Sequence, residues 1–279
     1  MTPPLGGISG GVSFARRFVT SVCLIAVIAS VIFGAGAFLF SAFVFLFTGL
    51  ALYEFFTLLR AAKVPCYRLF GVVMGVIIPI VVYLEQGSTR SGEVLFLILG
   101  CLFLFVLQFL RTDNEDALVG ISLTLFGILY VSWFLSFLVK MRFLEGGVRW
   151  VAYILTVTKA GDIGAYIVGS LMGRHSLIPH VSPKKSVEGL HGAFAASLIA
   201  SVAFQPFLPL AWNTAHLLIL GLLIGIVGQI GDLSESLMKR FCHAKDSGGL
   251  FPGLGGVLDA VDSVLFTVPI FYFHLKILL

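Results

Sequence analysis

The chain has 279 residues, of which 58% are hydrophobic and only 11% are charged, and its formal net charge is +4. Soluble globular domains contain about a quarter charged residues, so this composition excludes an ordinary soluble protein and predicts a polytopic membrane protein. The four cysteines have neither metal-type spacing nor a disulfide framework. The aromatic residues follow a lipid-facing pattern, so nucleic-acid binding is not indicated.

Hydropathy predicts an all-α integral membrane fold with about nine transmembrane helices, at about 20 apolar residues per span. Arg16 and Arg17 precede an apolar run as in a signal peptide, but the run continues to Tyr53 and is long enough for a hairpin of two spans. The predicted spans are residues 18–33, 37–59, 69–84, 94–110, 117–139, 150–172, 189–208, 215–235 and 257–278.

The distribution of positive charge predicts the orientation. With nine spans, most of the 18 Lys and Arg residues fall on the side of the N-terminus, so we expect that side to be cytoplasmic. The two long polar segments, 173–188 and 236–256, then also face the cytoplasm, where soluble nucleotides are found. We expect a multi-pass protein of the inner (cytoplasmic) membrane.

Four carboxylates lie at or near membrane depth in the last two predicted spans. Asp232 and Glu235 end one span, Asp259 and Asp262 begin the next, and each pair is spaced to project from one helix face. A charge at this depth costs at least about 2.5–3.5 kcal/mol, so such groups usually face a polar cavity or each other. Mg²⁺ would relieve their repulsion and bridge to phosphates. The simpler alternative is that an acid such as Asp259 only caps a helix N-terminus.

Two basic segments contain candidate phosphate ligands. In the first, Lys159 and Asp162 lie inside a span, where an internal salt bridge is slightly favoured over a direct catalytic role. It continues into a Ser- and Lys-rich stretch in which the last serine is expected to cap the next helix; these residues are Ser182, Lys184, Lys185 and Ser186. Taken alone, that stretch is more typical of a plain basic cytoplasmic loop.

The second basic segment combines cations, carboxylates and a Gly/Pro-rich turn at residues 248–256, which would let a substrate approach the backbone closely. Its charged residues ahead of the turn are Lys239, Arg240, Lys245 and Asp246. Cations that can hold phosphates beside carboxylates that can hold metal indicate phosphoryl or nucleotidyl chemistry. Glu54 is a lone acid at a span end, and we expect it at the cytoplasmic interface rather than packed against a basic loop.

These segments resemble a known family. The run Ser236-Leu-Met-Lys239-Arg240, then Lys245-Asp246, then Pro252 to Asp262 resembles the signature of the phosphatidate cytidylyltransferases, or CDP-diacylglycerol synthases. Residues 161–166 and 182–189 are similar to that family's second recurrent block, and residues 53–56 are similar more weakly. The sequence departs from the family at Leu254, where His is usual, and at Ala260, where Arg is usual.

The resemblance implies a reaction of CTP with phosphatidate that gives CDP-diacylglycerol and pyrophosphate. It implies that Asp232 and Asp259 hold a divalent metal, expected to be Mg²⁺. We interpret Asp246 and Asp262 as supporting or additional ligands, and we expect these two acids to form the catalytic set together with Lys239 and Arg240. The remaining implied site residues bind phosphates or line the substrate site: Asp162, Ser182, Lys184, Lys185, Ser186, Lys239, Arg240 and Lys245. The expected partners are CTP, phosphatidate and the lipid bilayer, and a homodimer is kept open.

The resemblance also suggests a division of labour within a single transmembrane domain over residues 1–279. The helices of residues 18–140 would form a scaffold, and residues 150–279 the catalytic region. Two alternatives remain: a related cytidylyltransferase acting on another lipid phosphate, and an ion- or proton-coupled transporter whose pathway follows the intramembrane charges. Most of those charges cluster near one face beside polar loops, which favours the interfacial enzyme.

Overall fold

The computed structural model describes residues 8–85, 92–112, 114–253 and 255–278. Ten α-helices account for most of them: α1 (Ile8–Gly34), α2 (Ala37–Ala61), α3 (Arg68–Leu84), α4 (Gly92–Phe109), α5 (Ala117–Gly127), α6 (Phe134–Arg142), α7 (Gly147–Met172), α8 (Val187–Ala203), α9 (Thr214–Phe241) and α10 (Val257–Leu278). A π-helical segment, Ile128–Trp133, joins α5 to α6, so these two run as one continuous span.

Six of the described helical spans are long and apolar enough to cross a membrane: α2, α4, α5 with α6, α7, α9 and α10. Three shorter apolar helices, Val19–Gly34, Arg68–Leu84 and Val187–Ala203, coincide with the other predicted spans. Large apolar side chains such as Leu69, Leu171 and Ile277 point outward and are about four-fifths exposed. The chain is therefore a multi-pass, predominantly helical membrane protein. Nine spans and a cytoplasmic N-terminus remain predictions.

The helices of the C-terminal half pack closely around α7 and α10. Gly164 of α7 faces Gly192 of α8 so closely that a Cβ on either residue would overlap its neighbour. Small residues at this crossing allow the two backbones to approach, as is common between membrane helices. Trp150, Tyr153 and Phe271 are fully buried at the other end of this half. α10 also packs against α2 and α6, so both halves of the chain contribute to one core.

A small β-hairpin lies within the long polar connection at residues 173–188 of this otherwise helical fold. Strand β1 (Ser176–Ile178) pairs antiparallel with β2 (Ser182–Ser186). Ser186 ends the hairpin and caps α8, because its Oγ accepts a hydrogen bond of 3.1 Å from Gly189 N. The predicted helix cap is thus confirmed. Since β2 leads directly into α8, the hairpin is fixed beside the end of α7.

Candidate functional site

The charged side chains gather where the end of α9, the start of α10, the middle of α7 and the hairpin meet. They form three ion-paired clusters, each of which joins elements that are distant in sequence. In the first cluster, Lys239 Nζ lies 2.5 Å from Glu235 Oε2 and 2.5 Å from Asp259 Oδ1. Glu235 and Lys239 are four residues apart on α9 and so share a helix face. One lysine thereby links α9 to α10.

Asp259 also holds the Gly-rich loop in place. Its Oδ2 accepts hydrogen bonds from Ser247 N at 2.8 Å, Ser247 Oγ at 2.7 Å and Gly256 N at 2.7 Å. Negative charge here, in the first turn of α10, is favoured by the exposed N–H groups and the dipole of the helix. Asp259 therefore performs the capping role considered from sequence, and its other oxygen faces Lys239.

Glu54 of α2 is a site residue that the sequence did not identify. It is buried rather than interfacial, and its Oε2 accepts hydrogen bonds from Leu258 N at 2.9 Å and from Ser247 Oγ at 3.1 Å. A Cβ at Gly248 or Gly256 would overlap its carboxylate, so these glycines allow the loop to close around it. The Gly-rich turn is predicted from the sequence to let a substrate approach its backbone closely. In the structure, the group that approaches it closely is the Glu54 carboxylate. The signals in the sequence were a lone acid at the end of an apolar span and the weak family similarity of residues 53–56.

The second cluster lies within the helices. Lys159 Nζ donates to Asp162 Oδ2 at 2.8 Å and to Ser263 Oγ at 2.9 Å, and Ser263 Oγ donates to Asp162 Oδ2 at 2.7 Å. The salt bridge predicted inside α7 is confirmed, and it extends to α10. The neighbouring Asp262 is buried, and its Oδ1 accepts from Ser263 N at 2.6 Å. Ser263, which the sequence did not single out, links the two carboxylates.

The third cluster attaches the hairpin to α9. Lys185 Nζ lies 2.7 Å from Asp232 Oδ2 and donates to Ser236 Oγ at 3.4 Å. Arg240 Nε donates to Val181 O at 3.2 Å, at the turn between the two strands. The two blocks of sequence that resemble the family therefore meet in space, and a predicted metal ligand contacts a predicted phosphate ligand.

Replacing Lys185 by glutamine tests the predicted role of this residue as a phosphate ligand. Lys276, an exposed lysine in the last turn of α10 and outside the predicted site, provides the matched control. We expect Lys185→Gln to raise the KM for CTP, the substrate that the family resemblance implies, by roughly tenfold, because the hairpin loses its tie to Asp232 and the predicted phosphate ligand loses its charge. Initial rates over a range of CTP concentrations measure it. A KM for Lys185→Gln that equals that of Lys276→Gln would contradict a specific role for Lys185.

Four other predicted site residues make no polar side-chain contact within the described part of the chain. Their side chains form no hydrogen bond or ion pair there; three of them are exposed and one is half-buried: Lys184, Lys245, Asp246 and Ser182. Such free cations can receive phosphates without breaking an existing contact. Leu254, one of the two departures from the family pattern, lies outside the described residues, whereas Ala260 is half-buried in α10.

Cys242 is not a candidate nucleophile. It follows α9 directly and is buried, and burial raises the pKa of its thiol. A thiol with a raised pKa remains protonated at neutral pH, whereas a nucleophilic cysteine acts as the thiolate. Covalent catalysis by this residue is therefore not supported.

Tyr130, in the π-helical segment, provides a further polar group beside the clusters. It is 3% exposed, its hydroxyl finds no hydrogen-bond partner among the described residues, and its ring centroid lies 5.7 Å from that of Phe266 in α10. A buried hydroxyl without a partner is unfavourable by about 1–3 kcal/mol. The Tyr130 hydroxyl is therefore suited to hydrogen-bond a ligand that enters the site.

Removing that hydroxyl tests its role. If Tyr130 contacts substrate, Tyr130→Phe should lower turnover by roughly tenfold while leaving the melting temperature unchanged or higher, because an unsatisfied buried group is removed. Turnover and thermal unfolding of the same preparation measure both quantities. A variant with full turnover would show that the hydroxyl has no part in the reaction.

The donor atoms fit a hard divalent cation chemically. Asp232, Asp259 and Asp262 supply carboxylate oxygens, and Glu235 Oε1 is buried without a hydrogen-bond partner among the described residues. No group of three or more acidic, His or Cys side chains there is already arranged as a metal site. Lysines neutralise the acids instead, so a metal would replace Lys239 or Lys185 as their partner.

These helices and paired charges define a multi-pass membrane protein with a polar site near one end of its bundle. The chain belongs to the cytidylyltransferase family, whose sequence profile matches residues 15–278. It is 30% identical over 274 residues to a phosphatidate cytidylyltransferase of Bacillus subtilis, covering 95% of this chain and 99% of that protein. A phosphatidate cytidylyltransferase of Synechocystis is 32% identical over 291 residues, covering 95% and 97%.

A third relative matches over a shorter region. The uncharacterized protein YnbB of Escherichia coli is 40% identical over 158 residues, which is 56% of this chain and 52% of that protein. The family resemblance stated from the sequence motifs is confirmed by these matches. The family profile and the two near full-length relatives extend through the N-terminal half, where the sequence motifs alone were weak.

Proposed function

We propose that this protein transfers the cytidylyl group of CTP to phosphatidate, giving CDP-diacylglycerol and pyrophosphate. Near full-length similarity to phosphatidate cytidylyltransferases supports this activity. The observation that connects it with the site is the position of Lys185, which lies 2.7 Å from Asp232 and donates to Ser236 of the other family-like block at 3.4 Å. The phosphate of phosphatidate attacks the α-phosphorus of CTP, and the bond to the pyrophosphate group breaks.

The protein's own side chains bind and orient the phosphates. Lys184 and Lys245 are exposed cations, and Lys185, Lys239 and Arg240 border the carboxylate clusters. The attacking phosphate is already an anion at neutral pH, so the reaction needs no strong general base. Positioning and charge neutralisation are then the main requirements.

Magnesium is part of the proposal. Asp232 and Asp259 would hold it, with Asp262 and Asp246 as supporting or additional ligands. When bound, the ion would neutralise the triphosphate and the departing pyrophosphate. Asp259 already has one oxygen committed to Ser247 and Gly256, so only Oδ1, now paired with Lys239, is suited to this role. Lys239 would then keep Glu235 as its partner.

The membrane arrangement follows from the two substrates. One substrate carries acyl chains and the other is water-soluble, so the site must lie at a membrane surface. We propose nine spans with the N-terminus and both polar segments on the cytoplasmic side of the inner membrane. Cysteine-accessibility labelling of the hairpin in intact cells and in inverted vesicles tests that face. Light scattering of the purified protein tests the homodimer.

An omission assay tests the activity. Purified protein is incubated with labelled CTP, Mg²⁺ and phosphatidate, and each component is left out in turn. We expect labelled lipid and pyrophosphate only when all three are present. A panel of other lipid phosphates defines the acceptor. Product from another lipid phosphate but not from phosphatidate would contradict the proposed substrate, and no product from any acceptor would contradict the activity.

A further inference from the structure

A basic cavity lies apart from the carboxylate clusters, at the adjoining ends of α2, α3 and α4. Its volume is about 480 Å³, and it is lined by three arginines together with apolar and aromatic groups: Arg60, Arg68, Arg111, Cys66, Tyr67, Leu69, Phe70 and Leu107. The three arginines come from three separate segments of the chain. None of them forms an ion pair with a described acidic residue. Glu115 and Asp116 follow α4 but do not line the cavity.

Two of the arginines are held in position by aromatic rings. The Arg111 guanidinium lies 4.4 Å from the centroid of the Tyr67 ring, and that of Arg68 lies 4.1 Å from the Tyr53 ring. Tyr67 is itself fixed, because its backbone N donates to Thr124 Oγ1 at 2.9 Å and its hydroxyl donates to Gln108. Arg68 and Arg111 are therefore preorganised before any anion arrives.

The surroundings of the cavity favour an anion that carries an apolar tail. The first turn of α3 borders the cavity, contains no acidic residue and has no side-chain cap from Tyr67. Its N–H groups add to the positive field of the arginines. Beside the cavity, Leu69, Phe109 and Leu110 are about four-fifths exposed. In a membrane-spanning bundle this surface would contact acyl chains.

We propose that this cavity binds the phosphate headgroup of an anionic phospholipid, with the acyl chains lying along α3 and α4. Basic pockets between transmembrane helices are suited to such headgroups. The arginine guanidinium also matches phosphate geometry through paired hydrogen bonds. The site is separate from the proposed reaction centre and does not depend on CTP. It gives the protein a fixed contact with charged lipid at the membrane surface.

Native mass spectrometry of the delipidated full-length protein tests this site. The protein is titrated with phosphatidylglycerol, and in parallel with phosphatidylcholine. We expect tighter retention of phosphatidylglycerol by the unmodified protein. The triple variant R60Q/R68Q/R111Q should bind it roughly a hundredfold more weakly, and each single variant roughly fivefold. The single variants answer the question if the triple variant does not fold.

The matched control is Lys63→Gln. Lys63 is an exposed cation in the connection between α2 and α3, which Arg60 and Arg68 flank, but it does not line the cavity. Its variant should bind phosphatidylglycerol like the unmodified protein. Equal binding of the two lipids, or unchanged binding by the arginine variants, would overturn the proposal. So would complete displacement of the lipid by millimolar inorganic phosphate, which would assign the cavity to a free anion. None of these outcomes bears on the transferase activity.

Discussion

Asp259→Asn is expected to lower the rate of CDP-diacylglycerol formation by roughly a thousandfold or more, because the loss of a charged ligand acts directly on the reacting phosphates. Asparagine has nearly the same shape as aspartate. Its amide oxygen can still accept hydrogen bonds from Ser247 N and Gly256 N, as Asp259 Oδ2 does. It provides no charge for Lys239 or for a metal ion. The Gly-rich loop should therefore persist while the electrostatic role is lost.

The rate of label transfer from CTP to phosphatidate measures this effect, and thermal unfolding in the same detergent reports the fold. Asp116→Asn removes an exposed acid next to α5 and should leave both quantities unchanged. Ser247→Ala gives the opposite comparison, since it removes hydrogen bonds to Asp259 and Glu54 but no charge. Ser247→Ala should lower the melting temperature clearly, while its rate of label transfer should fall far less than that of Asp259→Asn. Normal turnover by Asp259→Asn would remove Asp259 from the catalytic mechanism.

Local features of this protein could be predicted from its sequence. The helical segments follow from runs of apolar residues, the Ser186 cap from the residue type before α8, and the Lys159–Asp162 pair from its spacing. Each of these features depends on residues within a few positions of one another, and over that range helix geometry determines which side chains are close in space. The motif spacing was also enough to indicate the family, since it is a property of the sequence alone.

Contacts between distant segments could not be predicted in the same way. Glu54 and Leu258 are separated by 204 positions, and nothing near Glu54 in the sequence specifies that it ends against α10. The sequence likewise could not predict which lysine pairs with which acid. Lys185 pairs with Asp232 and Lys239 with Glu235 and Asp259 because of how α9, α10 and the hairpin pack. Charge alone would permit other pairings.

The buried carboxylate of Glu54 leads to the second large expected effect. Glu54→Ala should lower the free energy of unfolding by about 1–3 kcal/mol, because Leu258 N–H loses its acceptor in a buried place, whereas the Ser247 hydroxyl keeps Asp259 Oδ2. Turnover should fall as well, since Ser247 also positions Asp259. Chemical or thermal unfolding in detergent and the labelled-CTP assay measure the two effects. Glu145→Ala, which removes an exposed acid, is the control.

Glu54→Gln separates a positioning role from a charge requirement. The glutamine carbonyl can accept from the same two donors, so this variant should regain most of the stability and turnover that Glu54→Ala loses. Because Glu54 acts through Ser247 and Asp259, we expect its loss to lower kcat more than it raises the KM for CTP. A Glu54→Ala protein with unchanged stability would contradict the buried cap. A Glu54→Gln protein that is stable but inactive would instead place the Glu54 charge in the reaction itself.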